Sequence, residues 1–256
     1  GAPSPSANPM DCMIDGTGFF LVGPMVNGSF TDVASSGLSL SRIGIFRVDS
    51  NGYLVDDQRN YVYGYALVDG TGIPEKPATK AVYTLSGLQA TIDNTSPPKT
   101  VTIGGITYET NQTKFVDQIN DWIKKATADD DPNNPGNPSP FAGYRVENLE
   151  GYDEAAGTVN LRFTSKTAGV DTGSGAISGL GGTFAEVTTG EAGEPAIPAV
   201  YSDSLSTLQI PYDPDTGNRY EIQSYKINED GTIMGVDNQS RTIAIGQLAL
   251  VTVENP

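Results

Sequence analysis

Phe46-Arg47-Val48-Asp49-Ser50-Asn51-Gly52-Tyr53-Leu54-Val55 is the stretch from which the fold class is read. Two short apolar runs flank a turn, and Asn51-Gly52 offers the positive-φ positions that a tight hairpin needs. Outward from it, Cys12–Ile14, Gly18–Val22, Gly44–Val48 and Tyr61–Leu67 repeat the same texture of short apolar runs punctuated by glycine. Strands joined by turns are therefore expected from Asp11 to Leu67. The texture returns near the end at Leu208–Ile210, Tyr220–Ile227, Thr232–Val236 and Thr242–Val253, with Asn228-Glu229-Asp230-Gly231 as a further hairpin turn.

Between these flanks the pattern changes. Turn formers crowd Asp69-Gly70-Thr71-Gly72-Ile73-Pro74-Glu75-Lys76-Pro77, a composition typical of a domain boundary. Val101-Thr102-Ile103 and Ile106-Thr107-Tyr108 bracket Gly104-Gly105 as a second hairpin. Phe115, Val116, Ile119, Trp122, Ile123 and Ala126 then recur at helical spacing, with Thr113 placed to cap and Asp117 in the first turn, which predicts one helix near 114–127. The run Asp129-Asp130-Asp131-Pro132-Asn133-Asn134-Pro135-Gly136-Asn137-Pro138 cannot continue a helix or pair as a central strand, and reads as a solvated loop. Strands resume at Tyr144–Val146 and Val159–Thr164, before a Gly-rich stretch at 169–182 and a soft zone at 191–199. The expectation is a mainly β protein of two β-rich domains, the second inserted into the first and carrying one α-helix. Residues 1–8 read as a linker or cloning remnant, 9–78 with 201–256 as the first domain, and 79–200 as the insertion.

Composition narrows function. The 256 residues hold 15 Lys plus Arg against 31 Asp plus Glu, a net charge of -16, which repels phosphate backbones and anionic headgroups. Neither nucleic acid nor membrane is an expected partner. Histidine is absent, so Ser-His-Asp triads, Cys-His dyads and HExxH zinc sites are excluded. The single cysteine cannot form an internal disulfide, and no apolar run long enough for a membrane helix or a secretory signal occurs.

Each candidate site has a structural alternative. Gly16-Thr17-Gly18 lacks the third glycine and the Lys-Ser/Thr of a phosphate loop, so it reads as turn geometry. Asp129–Asp131 lacks the alternating spacing and terminal Glu of a calcium loop. Cys12, beside Met13 and Ile14, reads as a buried small hydrophobe rather than a reactive thiol. Trp122 falls on the helix's apolar face, which favours core packing over a sugar site. Two carboxylates alone suffice for a glycosidase, but their separation is not readable from sequence. No catalytic, metal-binding or cofactor-binding residue is assigned, and the chain is not expected to be an enzyme.

Asn8-Pro9-Met10-Asp11-Cys12-Met13-Ile14-Asp15-Gly16-Thr17-Gly18-Phe19-Phe20-Leu21-Val22 is similar to a pattern in the rod and hook axial proteins of the bacterial flagellum, roughly N-P-x-D-x-x-I-x-G-x-G-F-F-x-V. Leu40-Ser41-Arg42-Ile43-Gly44-Ile45-Phe46, running on to Gly52-Tyr53-Leu54-Val55, resembles the same family's Y-T-R-x-G-x-F-x-x-D-x-x-G-x-L-V, and Tyr63-Gly64-Tyr65 sits at its x-G-Y. Leu40-Ser41 stands where Tyr-Thr is usual, and Cys12 also departs from the pattern. Ser224–Gly235 and Ile245–Leu250 resemble the carboxyl-proximal part of the hook subunit. The match covers the two ends and not the middle. There, Lys99–Tyr108, Ile119-Asn120 and Leu161–Gly169 look like a short insertion module of flagellin variable regions.

The resemblance implies a structural subunit of the flagellar hook, the flexible curved tube that acts as a universal joint between rod and filament. It implies export by the flagellar secretion apparatus to an extracellular location at the basal body and hook. The implied partners are further copies in a helical homopolymer, the hook cap, the rod and the hook–filament junction proteins. The tube-forming terminal segments of hook subunits are not recognised in this chain, so the chain is expected to be a monomeric central fragment. Asp11, Gly16, Gly18, Phe19, Phe20, Gly44, Phe46, Gly52, Leu54, Gly64, Gly231, Gly235 and Gly246 are the structural motif residues the resemblance singles out. The alternatives are a distal rod subunit of the same family and a β-rich surface adhesion or carbohydrate-binding module.

Overall fold

The computed structural model describes residues 12–13, 18–24, 37–44 and 46–252, without the side chains of 12–13 and 43–44. The protein is mainly β, and the chain divides into two compact units, residues 1–75 with 195–256 and residues 76–194. In chain order the strands of the first part are β1 (Cys12–Met13), β2 (Phe19–Gly23), β3 (Ser39–Ser41), β4 (Ile43–Gly44), β5 (Arg47–Val48), β6 (Leu54–Val55) and β7 (Tyr61–Leu67). The middle unit holds β8 (Val82–Asp93), β9 (Lys99–Ile103), β10 (Ile106–Thr110), α1 (Phe115–Ala126), β11 (Tyr144–Asp153), β12 (Thr158–Ser165), α2 (Ser174–Ser178) and β13 (Thr183–Thr188). The chain then returns to the first unit with β14 (Tyr201–Thr207), β15 (Ile222–Ile227), β16 (Thr232–Asp237), β17 (Thr242–Leu248) and β18 (Leu250–Val251).

In the first unit β7 is the hub of a 10-stranded antiparallel sheet. Its first residues pair with β2 and β6, through Val22↔Val62 and Val55↔Tyr61. Its later residues lie between β14 and β17, with Ser206↔Gly64 on one side and Leu248↔Gly64 on the other. Both sides of Gly64 are thus taken by backbone. A Cβ there would stand 2.1 Å from the Gln247 carbonyl oxygen, so only glycine lets β7 and β17 approach. Phe20, Phe46, Leu54, Val62, Leu208, Ile233, Ile243 and Ile245 pack beneath as one apolar cluster, with Phe20 and Phe46 edge to face at 5.4 Å.

Three hairpins of this unit share a device that the sequence reading missed. Asp49, Asp56 and Asp237 each donate their own N–H to the carbonyl four residues on, at 2.9, 2.9 and 3.0 Å. Each carboxylate accepts the N–H groups of the second and fourth residues after it, at 2.8 to 3.0 Å. The third residue after the aspartate takes positive φ: 82° at Gly52, 66° at Arg59 and 60° at Ser240. The hairpin and the positive φ at Gly52 are as expected, but the positive φ expected at Asn51 is not found. Asn51 stays out of the left-handed region, and the Asp49 carboxylate holds the loop in its place.

The second unit wraps a 6-stranded antiparallel sheet around α1. Trp122, Ile119, Ala126, Leu85, Leu88, Leu161 and Phe163 lie in its core, and the Trp122 indole N–H donates to the Ile106 carbonyl at 2.9 Å. The Gly104-Gly105 turn has φ of 57° and 80°, as a type I′ hairpin requires. Residues 73–76 and 194–197 run antiparallel, with Ile73↔Ile197 in the first unit and Lys76↔Glu194 in the second, so the two soft stretches fall at the boundary.

Several expectations need correction. Lys114, not Thr113, is the residue before α1, and no side chain caps it. Val116 is 46% exposed at the helix start, whereas Gln118 is buried because its amide donates to Asn94 and to the Gln112 carbonyl. Leu208–Ile210 is no strand. Leu208 and Ile210 drop into the core, Pro211 ends the run, and the backbone bonds instead to Leu54 and Gly52. Thr242–Val253 breaks at Ala249, because β17 serves β7 and β16 while β18 crosses to β2. Asp131 is buried rather than solvated, its N–H donating to the Asn137 carbonyl at 2.7 Å, while residues 132–138 remain exposed. Strands β8, β13 and β14 were not expected, nor was the short α2 in the Gly-rich stretch.

Gly64→Ala should cost about 3 kcal/mol in urea unfolding, since a fixed carbonyl blocks the methyl group. Gly70→Ala, at φ 77° with nothing within 4 Å, should cost about 1 kcal/mol from backbone conformation alone. Equal losses would show that β7 and β17 are not in such close contact.

Candidate functional site

The motif residues converge on the first unit. Gly18, Phe20, Phe46 and Leu54 are buried there, and Phe19 is partly buried. Gly44 sits in β4 opposite Cys12. Gly52, at φ 82°, also leaves room for Arg219, whose Cδ would lie 2.8 Å from an added Cβ. Gly231 has φ of 85° in the β15–β16 turn. At Gly235 a Cβ would meet Ile222 at 2.7 Å, and at Gly246 it would meet Leu208 at 3.0 Å. Asp11 and Gly16 lie outside the described residues, as does the side chain of Cys12 whose burial was expected. Phe20, Phe46 and Leu54 belong to the apolar cluster of this unit, and the described motif residues bring no chemistry-bearing groups together.

Two polar clusters were not legible in the sequence. In the first unit Arg241 binds Asp237 at 2.8 Å and Asp213 at 3.0 Å, with its guanidinium 5.5 Å from the Tyr220 ring. Asp237 is only 1% exposed. Burial alone would raise its pKa, but the backbone N–H and guanidinium of Arg241 and the N–H of Gln239 outweigh it and hold the carboxyl below its usual range. In the second unit the Asp171 carboxylate accepts hydrogen bonds from the Tyr83 hydroxyl at 2.7 Å and the Tyr144 hydroxyl at 2.8 Å. Burial and then the Asp171 contact push the Tyr83 phenol up to about 12, and the same causes raise Tyr144. Both clusters are internally satisfied, and each fastens a loop to the sheet: 213–219 in one case and 167–173 in the other.

One cleft stands open in the first unit, with a volume of about 610 Å³. Its wall carries Tyr53, Asp69, Gln209, Tyr212 and Arg219. Arg219 is immobilised: its guanidinium donates to the Ile210 carbonyl at 2.5 Å and to the Tyr212 hydroxyl at 3.1 Å, and lies 4.2 Å from the Tyr212 ring centre. Tyr212 is 60% exposed, so this ring is a surface feature and not core. Trp122, the other aromatic considered for sugar contact, is 1% exposed and belongs to the core.

Among the described residues, no group of three or more His, Cys, Asp or Glu side chains is placed to hold a metal ion, and no helix is long and apolar enough to cross a membrane. Neither models of known families nor the curated proteins give a match to the chain.

The two clusters set opposite pH limits. Asp237 has a depressed pKa in the folded state, so its contribution is complete above the unfolded value near 4 and disappears as pH falls through the folded one. Tyr83 has a raised pKa, so its contribution is complete below pH 10 and is lost as pH rises toward 12. Urea midpoints measured against pH should fall on both sides. Asp237→Asn should flatten the acid limb and Tyr83→Phe the alkaline limb. A wild-type profile matched by both variants contradicts these assignments.

Proposed function

We propose that this chain is a structural part of the bacterial flagellar hook, a subunit of the curved tube that passes torque from rod to filament. What supports this reading is one relation between sequence and fold. The stretches that resemble rod and hook proteins lie at opposite ends of the chain. Tyr63-Gly64-Tyr65 from one and Gln247-Leu248 from the other are neighbours in a single sheet, joined where Gly64 admits no side chain. Phe20, Phe46, Leu54 and Gly64, all within the resembling stretches, are among the residues on which the packing of the first unit rests.

In such a tube the work is mechanical. A bent, rotating tube carries each subunit in turn from inner to outer curvature, so rigid bodies slide on their neighbours through contacts that break and re-form. Small polar interfaces suit this better than large apolar ones, which hold one geometry. Rigidity comes from aspartate-clamped hairpins and the fastened 213–219 loop in the first unit, and from the fastened 167–173 loop in the second. The partners on this reading are further copies of the chain, the cap, the rod and the hook–filament junction proteins, and the location is outside the cell after flagellar export. A distal rod subunit is the alternative within the same family.

Antibodies raised against the 256-residue protein should test this by immunogold electron microscopy of intact cells that encode it and of basal bodies isolated from them. Gold confined to the short segment between cell body and filament is the expected result. Gold spread over the cell wall would instead favour a surface adhesin, and gold on the isolated rod alone would favour the rod subunit.

A further inference from the structure

The cleft of the first unit is not accounted for by a structural role. Its volume of about 610 Å³ lies within the range of small-molecule sites. Its lining combines three kinds of group. Tyr212 offers an exposed ring whose other face is already backed by Arg219, so the ring is held stiff against solvent. Arg219 is a fixed fork with two of its five N–H groups committed, to the Ile210 carbonyl and the Tyr212 hydroxyl. Among the described residues it has no carboxylate within ion-pair distance, in a chain with twice as many acids as bases. Asp69, exposed in the lining, supplies carboxyl oxygens, while Gln209 keeps its carbonyl oxygen after its amide nitrogen donates to the Asn51 carbonyl.

We propose that this cleft binds a neutral saccharide, a short chain of pyranose rings. A sugar ring presents an apolar C–H face and a rim of hydroxyls, each of which both donates and accepts. An exposed, backed tyrosine suits the face. A preorganised donor fork beside a carboxylate and an amide oxygen suits the rim, since donors and acceptors are both needed. An anionic ligand fits less well, because Asp69 also lines the cleft and the chain carries a net charge of -16. A cationic ligand would meet Arg219. Tyr212 is thus the stacking platform for one ring, Arg219 behind it the donor to hydroxyls of a neighbouring ring that reaches past the tyrosine's edge, and Asp69 and Gln209 the acceptors. This assignment is independent of the hook reading: a saccharide site fits a subunit exposed outside the cell or a separate adhesive module.

The test is a titration of the isotopically labelled 256-residue protein, followed by amide NMR, with maltotriose, cellotriose, chitotriose and trigalacturonate in turn. At least one neutral trisaccharide should give saturable shifts at Thr207, Gln209 and Arg219. Tyr212→Ala should weaken its binding by about tenfold or more. Asp69→Asn, an exposed and nearly isosteric change that leaves the fold alone, should weaken it severalfold and decides the matter if the tyrosine variant unfolds. The proposal is overturned if no neutral trisaccharide shifts these amides, if the shifts lie elsewhere, or if neither substitution changes the affinity. Tighter binding of trigalacturonate overturns the neutral assignment. Shifts in the cleft that depend on protein concentration without sugar would assign it to a second copy of the chain instead.

Discussion

The backbone-to-backbone contact at Gly64 is the constraint on which the first unit depends. β7 is shared by β2, β6, β14 and β17, so it joins strands from both ends of the chain. Four neighbours leave few free backbone groups, and Val62 and Tyr63 are almost wholly buried, with the Tyr63 hydroxyl donating to the Pro24 carbonyl. Everything between β7 and β14 can then vary, provided it leaves and returns at one place. The antiparallel run of residues 73–76 against 194–197 provides that place. In the second unit, the Thr79 hydroxyl adds bonds to the backbone of Thr189 and Glu191.

The turns show a division of labour. Where the left-handed residue is glycine, as at Gly52, the conformation costs little. Where it is Arg59 or Ser240, a cost of about 1 kcal/mol is offset locally by the two N–H groups that the leading aspartate gathers. Many of the 31 acidic residues could be read only as surface charge, yet several organise turns, and Asp237 does so while paired with Arg241. The acidity of the chain is therefore partly architecture.

What was legible in the sequence was local. The Gly104-Gly105 hairpin and the helix around Ile119 and Trp122 follow from spacing, because each is decided within a few residues. β8 was illegible for a definite reason. Tyr83 and Leu85 alternate inward, then Gly87 at φ 61° shifts the phase, so that Leu88 and Ala90 face the core one residue out of step. A period of two cannot be seen across such a bulge. β14 reads as polar because Ser202, Asp203 and Ser204 dominate it, and only its pairing with β7 makes it a strand. The cleft was equally hidden. Its residues come from segments far apart in the chain, and neither Tyr212 nor Arg219 carries a local signature.

The central claim is that both ends of the chain form one cooperative sheet about β7. Native-state hydrogen exchange tests it most directly. The amides of β7 and β17 should be the slowest in the first unit and should report the same opening free energy, equal to that of its global unfolding. If β17 exchanged through a much easier opening while β7 stayed protected, the carboxyl-proximal strands would be an appendage and not part of the closing sheet.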